Sequence, residues 1–359
     1  MTIDDTNFEK LLHNQWNTPC DLTKWHTTIE GYSIDGCVAL TESKLIIVLR
    51  REEAEEDDTR PEIKLLRIFR DESPQISGTT LVDVEIIGNI IALNDNEVLW
   101  VSNIGDVFNL TEDNDLSGFE TVIPNKDSEF GYRTIKGINR IGSHVYAAGG
   151  WRHIFKRKAK DDWVDITTNL DRSDLIDKDE TGWDTGKSNS TGFGCVGGFS
   201  ENDVYAAGRG GDCWHYNGSD WNRIDLPTIE RIYKIIAVEP DKVYMACGRG
   251  ILLERNENKW TVIKFPDNNA SFTQMVLFKN TIYISTEFLM YKLVNGTLEK
   301  CLPSSQNTEI ELFCHHYLSA NDHIMLMCGQ ASAAIFDGDS WWPLIPNGPI
   351  TAETSDSEE

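Results

Sequence analysis

The stretch DVYAAGRGGDCWHYNGSDWNRIDLP, residues 203–227, decides the fold. It opens with a small apolar strand and breaks at glycines. An aromatic strand follows, then a turn at Asn217-Gly218 and a restart at Trp221. Asn-Gly between two alternating runs is the strongest short-range hairpin signal, because both residues accept the positive φ such a turn needs. Gly, Arg, His and Cys crowd together here, so the stretch is either a site or one tile of a pattern.

The pattern recurs. GSHVYAAGGWRHIFKRKAKDDWVDI starts at Gly142, PDKVYMACGRGILLERNENKWTVIKFP at Pro240, KNTIYISTEFLMYKLVNGTLEKCLP at Lys279, and ANDHIMLMCGQASAAIFDGDSWWPLIP at Ala320. Weaker copies start at Asp95 and Glu42. The strand-opening positions are Leu45, Val98, Val145, Val204, Val243, Ile282 and His323, with successive intervals of 53, 47, 59, 39, 39 and 41 residues. A period near 40, lengthened by insertions, marks a repeat architecture.

Each unit splits into four short strands. In the sixth they are FTQMVLF, TIYIST, LMYKLV and TLEKCL. Asn217-Gly218, Asn295-Gly296 and Asp337-Gly338 fall between the third and fourth strands of their units. Four antiparallel strands about every 40 residues make one β-propeller blade. The expected fold is therefore all-β: seven four-stranded antiparallel blades, with six or eight left open. The propeller is expected over residues 31–346, after an N-terminal extension over 1–30 and before an acidic tail over 347–359. Within the extension, DLTKWHTTI looks like an extra outer strand that either closes the ring against the last blade or caps it. Trp163, Trp221, Trp260 and Trp341 recur on fourth strands and are expected to cover blade edges.

The pattern of residues 203–227 resembles a bacterial propeller repeat of the type VYAVG-x-x-G-x-I-x-H-Y-D-G-x-x-W, found in propellers related to photosystem assembly factors and Asp-box proteins. The resemblance runs from about Gly142 to Pro346. It implies a fold and carries no function. The Asp-box itself, S-x-D-x-G-x-x-W, is unmatched, which counts against a sialidase-type enzyme, and the Gly-His and Trp-Asp signature of WD repeats is absent.

Composition limits the function. The 359 residues carry 58 acidic and 33 basic side chains, a net charge of −25, and 10% aromatics. Such a field repels nucleic acid and anionic membranes and draws in basic partners. MTIDDTNFEKLL has no basic, apolar leader pattern, and no apolar run is long enough to span a bilayer, so the expected location is cytoplasmic. The cysteines, Cys20, Cys37, Cys195, Cys213, Cys247, Cys301, Cys314 and Cys328, form no C-x-x-C pair and read as core residues rather than a zinc site or disulfide framework.

Several motifs invite a site and fail on context. Gly192, Gly194 and Gly197 spell G-x-G-x-x-G, but a dinucleotide site needs a strand before and a helix after; here a strand follows. Gly186-Lys187-Ser188 lacks the glycine a phosphate loop requires at Thr181. His315, His316 and His323 have no carboxylates at ligand spacing. Lys156, Arg157, Lys158 and Lys160 form a basic run answered by Asp161-Asp162, read as a solvated hairpin. No cofactor, metal or catalytic group is assigned.

The insertions point to one face. In an up-down blade, the second-to-third turns and the blade-to-blade links emerge together. One insertion, in the first unit, carries Glu52, Glu53, Glu55, Glu56, Asp57 and Asp58. The other links the third and fourth units and carries Asp171, Asp174, Asp177, Asp179, Glu180, Trp183 and Asp184. Arg152, Arg209, Asp212 and Arg249 lie near second-to-third turns and complete the candidate partner-binding set. Long loops on a rigid scaffold are where function concentrates.

Two functions follow as expectations. One is a non-catalytic, monomeric protein that binds a basic protein, in its sharpest form an immunity protein neutralising a secreted toxin or nuclease. A stand-alone acidic propeller is similar in character to what contact-dependent growth inhibition systems carry. The other is a propeller glycan hydrolase or lyase with a carboxylate site over the central channel.

Overall fold

The computed structural model describes residues 12–19, 29–52, 62–70, 75–81, 88–111, 116–120, 123, 126–127, 131–132, 134–175, 192–265, 272–286, 289–301 and 317–345. Among the described residues seven antiparallel blades are present, the number counted from the repeats; each has four strands, and the first gains a fifth. Their strands run from Tyr32 to Ile345, and each blade is continuous in sequence. Residues 203–227 supply the last three strands of the fourth blade, Asp203–Gly208, Cys213–Tyr216 and Trp221–Arg223, packed outside Phe193–Ser200.

Second strands carry the core. His144–Gly149, Asp203–Gly208, Lys242–Cys247 and Thr281–Thr286 are each buried from their second residue to their last. Both faces of such a strand meet a neighbouring blade, so Val, Tyr and Ala run without alternation. Between the fourth and fifth blades, Tyr205, Ala207 and Cys213 pack on Ile232, Val243, Met245 and Leu253. The fourth-strand tryptophans do pack at blade edges: Trp163 and Trp341 are buried, and Trp221 is half-buried with its Nε1 donating to the Ile166 carbonyl of the previous blade at 3.0 Å.

Inner strands line the channel and approach one another closely. A Cβ on Gly197 would stand 2.5 Å from the Ile235 carbonyl oxygen, so this glycine of the G-x-G-x-x-G run serves packing between inner strands; Gly194 lies in the same strand and Gly192 just before it. The sequence did not announce a repeated bulge. The strand register skips one residue near the start of five inner strands: Asp35, Lys136, Gly194, Tyr233 and Thr273. A bulge increases local twist and re-aims a side chain.

The ring closes without a shared strand. The first and last blades meet through Ile34, Cys37, Leu45 and Ile47 against Ile324, Leu326, Cys328 and Ile335. Polar ties reinforce the seam: Ile34 N–H donates to Gln330 O at 2.8 Å and Tyr317 OH to Asp35 Oδ1 at 3.2 Å. The described N-terminal strand, Leu12–Pro19, lies antiparallel to Gln75–Leu81 and makes the first blade five-stranded. This strand does not close the ring, because the last blade takes all four of its strands from Tyr317–Ile345. DLTKWHTTI, residues 21–29, lies outside the described residues except for Ile29.

The basic run of the third blade is not merely a solvated hairpin. Arg157 pairs with Glu120 of the second blade, its Nε donating at 2.8 Å, and Lys156 donates to Glu201 of the fourth at 2.9 Å. Lys158 and Lys160 are exposed. Its inner cations tie three blades together.

Candidate interaction face

The face bearing the second-to-third turns and the blade-to-blade links is called the link face below. Its best-defined element is the start of the third-to-fourth link, folded as a strap over residues 166–175. Thr167, Leu170 and Leu175 are buried, and Ser173–Leu175 forms one 3-10 turn.

Arg152 holds this strap from inside. It sits in the third blade's second-to-third turn and is 2% exposed. Its Nε and Nη2 donate to the Asp212 carboxylate at 2.8 and 3.0 Å. Nη1 and Nη2 donate to the Asp174 carboxylate at 2.5 and 2.7 Å, and Nη1 also reaches the Asp171 carbonyl at 2.8 Å. The Trp214 ring lies 5.3 Å from the guanidinium carbon, and Trp214 Nε1 donates to Asp212 Oδ1 at 3.0 Å. The planar fork meets two carboxylates bidentately, a geometry lysine cannot supply. Burial opposes the charge on Arg152, but the bonds and charges of Asp174 and Asp212 outweigh it and raise its proton affinity. The Asp174 carboxyl is correspondingly held below its ordinary value, chiefly by its bonds from Arg152.

A second arginine fastens the strap's backbone. Arg172 donates to the carbonyls of Trp151 at 2.6 Å, Thr167 at 2.7 Å and Leu170 at 3.1 Å. Beneath it, His153 Nδ1 lies 2.6 Å from Asp165 Oδ2, and Asp165 Oδ1 accepts from the Thr167 hydroxyl at 2.6 Å. The turn above takes an unusual backbone: Trp151 and Arg152 have φ of 58° and 59°. Consecutive left-handed non-glycine residues persist where surroundings over-determine them. Gly192, at the far end of the link, also needs to be glycine: its φ is 93°, and a Cβ would stand 2.4 Å from Trp151 N.

The structure thus gathers Arg152, Asp171, Asp174 and Asp212 into one clamp. Arg152 is inside it and offers no surface to a partner, because it is 2% exposed and each guanidinium nitrogen is already bonded. Asp171 and Asp174 remain exposed at its edge. Arg209 and Arg249 are exposed on the fourth and fifth blades, with Arg249 Nε 3.5 Å from Glu230 Oε1. Glu52 is exposed where the first insertion begins. Glu53, Glu55, Glu56, Asp57, Asp58, Asp177, Asp179, Glu180, Trp183 and Asp184 lie outside the described residues. Sequence reasoning missed Arg172, which fastens the strap's backbone. A basic residue within an acidic link was the available signal.

The central channel holds a cavity of about 530 Å³ lined by Asp35, Asn89, Asn139, Lys234, Gln274 and Tyr317, among others. Burial lifts the Asp35 carboxyl above its ordinary value, although Arg50 and the Tyr317 hydroxyl oppose this. Among the described residues no three His, Cys, Asp or Glu side chains gather as a metal site, and the described cysteines are free thiols. Burial pushes the Cys195 and Cys247 thiols up to about 12, so they are packing residues rather than nucleophiles. No helix of the described residues is long and apolar enough to cross a membrane.

No protein-family model matches the chain. The immune protein Tsi7 of Pseudomonas aeruginosa is 28% identical over 224 residues, which cover 62% of this chain and 68% of that protein. Three solved structures share the fold at low identity. YCF48 bound to D1 peptide has a TM-score of 0.55 and 12% identity, covering 85% of this chain and 91% of its own. The WD40 propeller domain of Doa1 has a TM-score of 0.56 and 10% identity, covering 86% and 94%. PorZ, a surface component of the type-IX secretion system of Porphyromonas gingivalis, has a TM-score of 0.54 and 11% identity; the match covers 89% of this chain and 38% of PorZ. By fold the chain is a seven-bladed propeller, and by sequence it is similar to an immune protein.

Proposed function

We propose that the chain is a non-catalytic immunity protein that binds and neutralises a cognate toxin in the cytoplasm. The observation that carries this is its similarity to the immune protein Tsi7 over most of both chains. The net charge of −25 supports a basic toxin, such as a nuclease, because nucleic-acid-degrading domains need cations to hold phosphate. Acidic residues of the two insertions, among them Glu53, Asp57, Asp177 and Asp179, would supply the long-range field that speeds encounter. The rigid blades would hold the contact surface in one shape, limiting the ordering cost of binding.

Capture of the binding partner from the native host, followed by co-expression of the captured protein with the chain, tests the reading. The expected result is restored growth and a stable complex whose association slows as salt rises. Unrelieved toxicity with no complex would overturn the immunity role, and association indifferent to salt would overturn the charge argument. The alternative of a propeller hydrolase or lyase draws on Asp35, a buried carboxyl in the channel wall. Such an enzyme needs a second carboxylate facing the first across the scissile bond. Asp35 is already engaged by Tyr317 and faces Arg50 at 3.8 Å.

A further inference from the structure

On the link face, between the fourth and fifth blades, an apolar side chain stands among cations. Ile229 is 81% exposed, the highest exposure among the described residues' exposed large hydrophobics. It sits in the link that leads to Ile232–Glu239. A lone exposed isoleucine on a fraying loop would mean little. This link is fixed on both sides. A Cβ on Gly211 would stand 2.5 Å from the Thr228 carbonyl oxygen, so the fourth blade's turn lies directly against the link. Glu230 N–H donates to Thr228 Oγ1 at 3.1 Å, and Gly248 N–H donates to Arg231 O at 2.9 Å. The fifth blade's turn is equally close, with Gly248 tight against the Glu230 carboxylate.

The cations around Ile229 come from three elements. Arg209 is exposed on the fourth blade's turn, and the Arg249 side chain is 80% exposed on the fifth blade's turn. Arg231, two residues on, is half-buried and turned toward the inner strands: its guanidinium carbon is 4.9 Å from the Tyr233 ring, and its Nη2 would stand 3.8 Å from a Cβ on Gly194. Lys136 shares this field: burial first, then the charges of Arg231 and Arg209, hold its ammonium down to about 8. Glu230 faces Arg249 at 3.5 Å. Among the described residues of this sector, Arg209, Arg231, Arg249 and Lys136 stand against Glu230 and the exposed Asp225, in a chain with a net charge of −25.

We infer that Ile229, with the exposed Arg209 and Arg249 on the turns that flank it, is the anchor of the protein interface: it fits an apolar pocket of the partner rimmed by carboxylates. Binding energy concentrates in a few central anchors that become fully desolvated on binding, and arginine is among the residue types enriched there. Arginine suits the rim because its fork meets a carboxylate bidentately and loses little freedom on binding. The acidic insertions would then bring a basic toxin near, while this patch fixes its register through the toxin's own acidic residues.

This inference rests on the immunity reading, and the two fail differently. The experiment measures affinity for the neutralised toxin domain by titration calorimetry. Its variants are Ile229→Asp, Ile229→Ala, the pair Arg209→Glu with Arg249→Glu, and, as a control on the opposite face, Asp322→Ala. Ile229→Asp is expected to weaken binding at least 100-fold, Ile229→Ala about tenfold, and the arginine pair at least tenfold, with melting temperatures unchanged. Asp322→Ala is expected to bind as wild type. If wild type binds the toxin and the Ile229 and arginine variants bind within twofold of it, this inference falls and the immunity reading stands. If wild type binds no toxin, both fall.

Discussion

Two neighbouring links on one face handle charge in opposite ways. The third-to-fourth link folds onto Arg152, and the two carboxylates it meets, Asp174 and Asp212, close around a guanidinium 2% exposed. The fourth-to-fifth link is also tied down, yet its Ile229 is 81% exposed, and Arg249 on the adjoining fifth-blade turn, though 3.5 Å from Glu230, is 80% exposed. The first arrangement spends its charges on holding blades together; the second leaves them for something outside. Charge in the sequence therefore says little about a partner until its pairing is known.

Substitutions can separate these roles. The largest effect is expected at Arg152. Replacing it by alanine leaves Asp212 uncompensated and nearly buried, at 12% side-chain exposure, and a broken buried pair costs about 3–5 kcal/mol. Arg152→Ala should therefore lower the denaturation midpoint sharply, and Arg152→Lys should recover only part of it, because one ammonium cannot grip two carboxylates bidentately. A midpoint unchanged in Arg152→Ala would show that the strap does not depend on the clamp. Ile229→Asp should do the reverse, sparing the midpoint and abolishing tight binding.

A smaller effect tests the ring seam. Burial raises the folded-state pKa of Asp35 above its ordinary value of 3.8, so the folded protein holds this proton more tightly than the unfolded chain does. The stability this group contributes is full below its unfolded value and is lost as pH rises through its folded value. Asp35→Asn removes the burial cost of the charge. It should melt above wild type at pH 7, and the difference should shrink as the pH falls into the acid range. A wild type that melts higher at pH 7 would mean that Arg50 and Tyr317 more than offset burial.

The fold was legible because its signals are local. VYAAG-type second strands and Asn-Gly or Asp-Gly turns sit within single blades, so one 25-residue stretch exposed the repeat. Long-range pairing was not legible. Arg152 meets Asp174 across 22 residues and Asp212 across 60, and nothing in either spacing announces a clamp. The same blindness hid Arg157 with Glu120, the seam between Ile34 and Gln330, and the fifth strand on the first blade. Choosing the link face from the insertions drew attention to its acids. Ile229 went unnoticed because a single apolar residue in a link looks like one more packed side chain.

Hydrogen–deuterium exchange on the chain, free and bound to its toxin domain, tests the central claim most directly. The expected result is protection gathered on the link face at residues 209–212, 228–231 and 248–250, with the opposite-face turns at 217–220, 295–296 and 337–340 unchanged. Protection confined to those opposite-face turns, with 228–231 exchanging as in the free chain, would contradict it.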